Sequence, residues 1–181
     1  MKRIWAPWRS AYVTGKDDEG ADKAAKKAVG ADKAEQGCVL CAHAEAYENE
    51  HRERGIVYRG DHCYVVLNRY PYTGGHVMIV PNRHVNDPSA LDKTEYIELT
   101  LLVRDCIAKV RKAFNPDGVN VGMNLGRSAG AGIDQHIHFH VVPRWNGDTN
   151  FMSVLSDARV ISQSLLEAYD ILKPFFTKEQ Q

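Results

Sequence analysis

The chain has 181 residues, enough to bury one sizeable core but hardly two independent ones. Hydrophobic residues make up 44% and charged residues 25%, with 14 Gly and 7 Pro, which excludes collagen-like and wholly disordered classes. Lys+Arg 23 balance Asp+Glu 23, so no global basic field draws nucleic acid or an anionic membrane, and any anionic ligand needs a local site.

Residues 3–13, R-I-W-A-P-W-R-S-A-Y-V, gather aromatics and arginines around a proline and read as an extended arm. Its rings, Trp5 and Trp8 among them, pack either on the protein's own core or on a partner. Residues 14–36 are dominated by Lys, Asp, Ala, Glu and Gly, with A-D-K-A at 21 and again at 31, which predicts a solvated linker or a frayed polar helix. The expected organisation is an arm and linker over 1–37 and one domain over 38–181. No apolar run approaches the ~18 residues that span a bilayer, and Met1-Lys2-Arg3-Ile4-Trp5 lacks the apolar region of a signal peptide. A cytoplasmic, non-membrane protein is therefore expected. Cys38 and Cys41 form C-V-L-C, whereas Cys63 and Cys106 stand alone in apolar surroundings, so a disulfide framework is not expected.

Residues 55–59, 63–68 and 76–80 are short and rich in Val, Ile and Tyr, with turn residues Gly60-Asp61 and Thr73-Gly74-Gly75 between them. They predict a strand meander. Asp92 with Glu95 makes a capping box, after which Tyr96, Leu99, Val103, Cys106 and Val110 recur at helical spacing up to Asn115-Pro116-Asp117-Gly118. Cys106 is expected to be a buried apolar residue of that long helix. Two further strands, 119–124 and 136–142, flank the loop G-R-S-A-G-A-G, and Ile161, Leu165, Tyr169 and Leu172 mark a last helix ended by Pro174. The expected class is α+β: an antiparallel sheet of about five strands with a long helix and a C-terminal helix.

The run His136-Ile137-His138-Phe139-His140 is the most informative stretch. At a strand's period of two, three imidazoles share one face while Ile137, Phe139 and Val141 pack on the other. Such a row suits a metal site or nucleophilic chemistry. The preceding Asn124-Leu125-Gly126-Arg127-Ser128-Ala129-Gly130 offers unshielded backbone N–H groups, a guanidinium and a hydroxyl, donors that suit phosphate oxygens. Its spacing fits neither a P-loop nor a dinucleotide-binding fingerprint. The C-V-L-C pair is either metal-ligating or redox-active, although no thioredoxin-like pattern accompanies it.

H-I-H-F-H-V-V, L-N-R-Y-P-Y-T-G-G-H-V-M-I-V-P-N-R-H (67–84) and N-V-G-M-N-L-G-R-S-A-G together resemble the histidine triad (HIT) superfamily of nucleotide hydrolases and transferases. R-I-W-A-P-W-R and V-P-R-W-N-G-D-T-N-F are similar to its fragile-histidine-triad-like branch, in particular the bacterial diadenosine tetraphosphate phosphorylases. The resemblance implies a homodimeric enzyme that cleaves dinucleoside polyphosphates. In it His138 is the nucleophile that forms a nucleotidyl-histidine intermediate, His140 contacts the phosphate and assists the leaving group, and His76 lines the site. It implies that Asn68 holds ribose hydroxyls, and that Asn124 with Gly126, Arg127, Ser128 and Gly130 contacts phosphate. It also implies a structural zinc held by Cys38, Cys41, His84 and His136; His43 lies close by in the sequence and could substitute for one of these ligands. Two departures bear on the reaction. Ala131-Gly132-Ile133-Asp134-Gln135 stands where many family hydrolases have Gly-Gln-Ser or Gly-Gln-Thr, leaving Ser128 or Gln135 to compensate. The third triad position is His140 rather than the Gln of the dedicated transferases, so the acceptor is phosphate or water. A phosphoramidase and a non-catalytic nucleotide- or zinc-binding protein are the alternatives.

Overall fold

Three β-rich segments and two that flank a glycine loop become the strands β1 (Ile56–Arg59), β2 (Cys63–Leu67), β3 (Val77–Pro81), β4 (Gly118–Met123) and β5 (Phe139–Arg144). The computed structural model describes residues 38–149 and 161–176, and the arm at 3–13 and the linker at 14–36 lie outside them. The strands form one antiparallel sheet in the order β1-β2-β3-β5-β4, the class expected. Four α-helices accompany it among the described residues: α1 (Val39–Ala44), α2 (His51–Arg54), α3 (Lys93–Phe114) and α4 (Leu165–Leu172). None is long and apolar enough to cross a membrane.

Both faces of the central strands are buried, so β2 and β3 read as continuous apolar runs rather than alternations. On one face Val65, Leu67, Val77, Ile79 and Val141 pack against Leu99, Leu102, Cys106 and Val110 of α3 and Tyr169 and Leu172 of α4. On the other, Tyr64, Val66, Met78 and Val80 pack against Leu40 of α1. The Tyr64 hydroxyl also donates to the Leu40 carbonyl at 2.7 Å, fixing the helix that carries C-V-L-C.

The capping box at Asp92/Glu95 and the αL residue Asn115 bound α3 as expected. Its buried stripe is Glu95, Leu99, Leu102, Cys106 and Val110; Tyr96, counted as apolar-face, is 47% exposed. Glu95 is buried because its carboxylate accepts from Asp92 N and from Arg83 at 2.8 and 2.7 Å.

Other strand ends fall within two residues of expectation, and three departures are larger. β5 starts at Phe139, not His136, because Ile137 N donates to Val85 O (2.7 Å) in the loop after β3, outside the ladder. α4 starts at Leu165, not Ile161, because Ser164 and Glu167 form a second capping box. Beyond α4 a 3-10 turn, Lys173–Phe176, runs through Pro174. The short α1 and α2 have no periodicity long enough to announce them.

Candidate functional site

α1, the loop after β3 and the lead-in to β5 converge on four side chains, Cys38, Cys41, His84 and His136, whose ligand atoms all lie within 4.8 Å of one another. Cys38 Sγ and Cys41 Sγ are each 3.5 Å from His136 Nδ1, and Cys41 Sγ is 3.3 Å from His84 Nδ1. A tetrahedron with bonds of ~2.0–2.3 Å has edges of roughly 3.3–3.8 Å, and the three Cys–His spacings fall in that range. His136 is pre-set for ligation: its Nε2–H donates to the Pro81 carbonyl at 2.9 Å, which leaves the Nδ1 lone pair facing the thiols. Burial, then the neighbouring Cys38, holds the Cys41 thiol above its ordinary value; bound metal would reverse that preference. His43 is not among these groups. Arg83, beside His84, is tied to α3 through Glu95, and this anchors the loop that carries the ligand.

Three further buried imidazoles, His138, His140 and His76, follow from the cluster across the sheet. The rings of His84 and His136 lie 5.0 Å apart, those of His138 and His140 4.8 Å, and those of His140 and His76 5.1 Å. The tautomers follow from fixed backbone partners. His138 Nδ1 faces the His136 carbonyl at 2.9 Å; a carbonyl only accepts, so Nδ1 carries the hydrogen and Nε2 keeps a lone pair. Tyr72 N–H donates to His76 Nδ1 at 3.1 Å, so His76 presents Nε2–H to His140 Nδ1 at 3.0 Å. His140 therefore bears its hydrogen on Nε2, a buried atom with no partner among the described residues. Burial, then the neighbouring histidines, lowers His76 to about 3, and burial with His138 lowers His140 to about 4, so both are neutral near pH 7.

Gly75, at φ 71, forms the turn into His76, and a Cβ there would lie 2.6 Å from the Phe114 ring. Thr73 closes the same turn by donating its hydroxyl to the Pro143 carbonyl at 2.7 Å. Asn68 stands at the end of β2, with Nδ2 3.4 Å from His76 Nδ1 and Oδ1 accepting from Tyr70 N. Asn124 and His140 line one cleft of about 450 Å³. A larger one, about 720 Å³, lies beyond Tyr72 between the end of α3 and α4 and holds no histidine. The loop from Gly126 to Gly130 winds into one 3-10 turn with Gly130 at φ 90. Its Arg127 is committed to Asp134 at 3.0 Å, while Ser128 and Gln135 are exposed.

Several groups that build the site were not singled out in the sequence. The Tyr72 N–H and the carbonyls of Pro81 and His136 are main-chain atoms, which residue identity does not mark. Arg144 and Asp148 did carry a signal, an i,i+4 charge pair directly after the histidines, and they form a two-point ion pair at 2.6 and 2.8 Å.

The sheet thus presents a row of imidazoles beside a Cys2His2 cluster that could hold a metal ion, a class of arrangement suited to nucleophilic chemistry. The family described as the HIT domain matches residues 49–147, and the chain belongs to that family. It is 35% identical over 172 residues to the AP-4-A phosphorylase of Mycobacterium tuberculosis, covering 95% of this chain and 83% of that one. It is 30% identical over 93 residues to the bis(5'-adenosyl)-triphosphatase of Dictyostelium discoideum, covering 51% of this chain and 62% of that one. Among solved structures, a zinc-bound histidine triad family protein from Mycobacterium smegmatis superposes with a TM-score of 0.61 at 26% identity, covering 77% of this chain and 92% of that chain.

Proposed function

We propose that this protein is an enzyme that cleaves dinucleoside polyphosphates of the diadenosine tetraphosphate type at the α-phosphorus, with phosphate or water as acceptor. The observation that carries the reading is the tautomer pattern: a lone pair on His138 Nε2 beside an unpartnered Nε2–H on His140. The curated relatives, a phosphorylase and a triphosphatase of dinucleoside polyphosphates, support the substrate class.

In this reading His138 Nε2 attacks the α-phosphorus and forms an N–P bond as the bond to the bridging oxygen breaks. The electron pair leaves with the departing nucleotide, whose oxygen is met by the Nε2–H of His140. The imidazolium so formed keeps its Nδ1–H on the His136 carbonyl, which stabilises the developing charge. An acceptor oxygen then attacks phosphorus, and the N–P pair returns to His138. His76 is the residue that sets the His140 tautomer. Asn68 serves the ribose, and Asn124 with the backbone of Gly126 and Gly130, Ser128 and Arg127 serves the phosphate; Arg127 would exchange Asp134 for it.

Zinc is the metal this reading assigns to Cys38, Cys41, His84 and His136, supported by the donor set, its spacing and the zinc-bound relative. When bound it braces the strand that presents His138. Four free cysteines suit a reducing compartment, and a cytoplasmic location belongs to the same reading. So does a homodimer, supported by β4, an outer strand of the sheet whose Val121 is exposed.

Product analysis after incubation with diadenosine tetraphosphate, with and without inorganic phosphate, tests the proposal. ADP plus ATP formed only with phosphate identifies phosphate as the acceptor, and AMP plus ATP regardless of phosphate identifies water. Absence of cleavage in both overturns the reading.

A further inference from the structure

The register of β4 on β5 places Gly122 opposite His140, Asn120 opposite Val142 and Gly118 opposite Arg144. With a period of two, these residues share the face that carries His140. Arg144 lies four positions after His140, about 13 Å along the strand at ~3.3 Å per residue. The span comprises Val142 and the two glycines, and a Cβ added at either glycine meets nothing within 4 Å. The result is an open trough, the cleft of about 450 Å³ that begins at His140 and Asn124 and ends at Asn120 and Arg144.

The far end is built to hold a guanidinium still. Asp148, 11% exposed, accepts Arg144 Nε at 2.6 Å and Nη2 at 2.8 Å, and Asn120 Oδ1 accepts Nη1 at 2.9 Å. The Arg144 guanidinium first, and then the N–H of Trp145, hold the Asp148 carboxyl far below the usual range. Three of the five N–H donors of Arg144 are thereby used, and two remain for a ligand on the half-exposed side. A guanidinium fixed in this way is preorganised for an oxyanion, with little side-chain entropy left to lose on binding.

We infer that this trough is a subsite for phosphate oxyanions on the leaving side of the reacting phosphorus, held by Arg144 with Asn120. The inference rests on the function proposed above. Each phosphoanhydride unit spans a few ångströms, so a tail of three phosphates running from His140 extends along most of the trough towards Arg144, which lines the same cleft. The same oxyanion chemistry arises from two sources: the phosphates that depart with the second nucleotide, and the inorganic phosphate that replaces them. Tyr72 and Val121 also line the cleft, so its preference for an oxyanion comes from the guanidinium of Arg144 and the amide of Asn120 at the far end.

The test compares wild type, Arg144→Gln and Asn120→Ala; Asn120 is exposed on the outer strand, so the second variant removes a ligand group without touching the core. Titration with ATP and with AMP reads the tail directly, and the phosphate KM of diadenosine tetraphosphate cleavage reads the acceptor. The expected result is that ATP binds wild type at least tenfold more tightly than AMP, and that both variants lose most of that advantage while binding AMP within about twofold of wild type. A rise in phosphate KM of tenfold or more places the acceptor in the same subsite. Variants that keep both the ATP advantage and the phosphate KM overturn the subsite. Failure of the proposed reaction is seen separately, as no cleavage by wild type, and the ATP-against-AMP comparison still reads the subsite in that case.

Discussion

The carbonyl oxygen of His136 accepts the Nδ1–H of His138 at 2.9 Å, while the Nδ1 of His136 faces the thiols of Cys38 and Cys41 at 3.5 Å. One residue thus joins the two halves of the site, its ring in the Cys2His2 cluster and its main chain setting the tautomer of the neighbouring imidazole. Geometry at the cluster is transmitted to His138 through one residue of backbone.

Metal removal should therefore affect both stability and turnover. About one zinc per chain is expected, and chelation should lower stability by about 3 kcal/mol, or Tm by roughly 6–12 °C for a chain of this size. Cys41→Ser should reproduce the loss without chelator. Metal analysis with a thermal melt checks this, and an equally stable and active metal-free protein contradicts it.

Acid stability follows from the two buried neutral histidines. The folded values of His76, about 3, and His140, about 4, lie below the ordinary 6.5. As pH falls below 6.5 the unfolded chain takes up these protons while the folded chain does not, so stability falls with pH. The expected slope is about 1.4 kcal/mol per pH unit for each group between roughly pH 6 and 4. Urea melts across that window should show His76→Gln losing one group's share of the slope. Gln also keeps an N–H donor for His140, so this variant should retain more activity than His76→Phe.

Gly75→Ala should be among the most damaging single-methyl changes outside the main core. It forces a side chain into φ 71 and a Cβ within 2.6 Å of Phe114, a ring at the end of α3. Strain and overpacking together predict a loss of about 2–4 kcal/mol, and displacement of His76 predicts reduced turnover in whatever folds. Denaturant unfolding and the activity of the soluble fraction check both.

Much of this architecture is legible in the residues because local signals agree with the tertiary result. The Asp92/Glu95 capping box, the β-branched runs of β1 to β3 and the His-x-His-x-His alternation point the same way as the packing. The four cluster residues are brought together as the resemblance implied. What escaped is set by contacts distant in sequence or by the main chain. β5 begins late because Ile137 N is claimed by Val85 O, 52 residues away in sequence. Tyr96 lies outside the buried stripe, while the adjacent Glu95 is buried with its carboxylate paired to Arg83. The tautomer relay from Tyr72 through His76 to His140 depends on a backbone N–H that every non-proline residue carries.

Trapping the covalent state tests the central claim most directly. Wild-type protein mixed briefly with diadenosine tetraphosphate and quenched at alkaline pH, where phosphoramidate bonds survive, should carry one AMP on His138 by peptide mass spectrometry. His138→Ala should carry none, should still bind nucleotide, and should lose turnover by roughly a thousandfold or more. An adduct on another residue, or undiminished turnover by His138→Ala, would contradict the account.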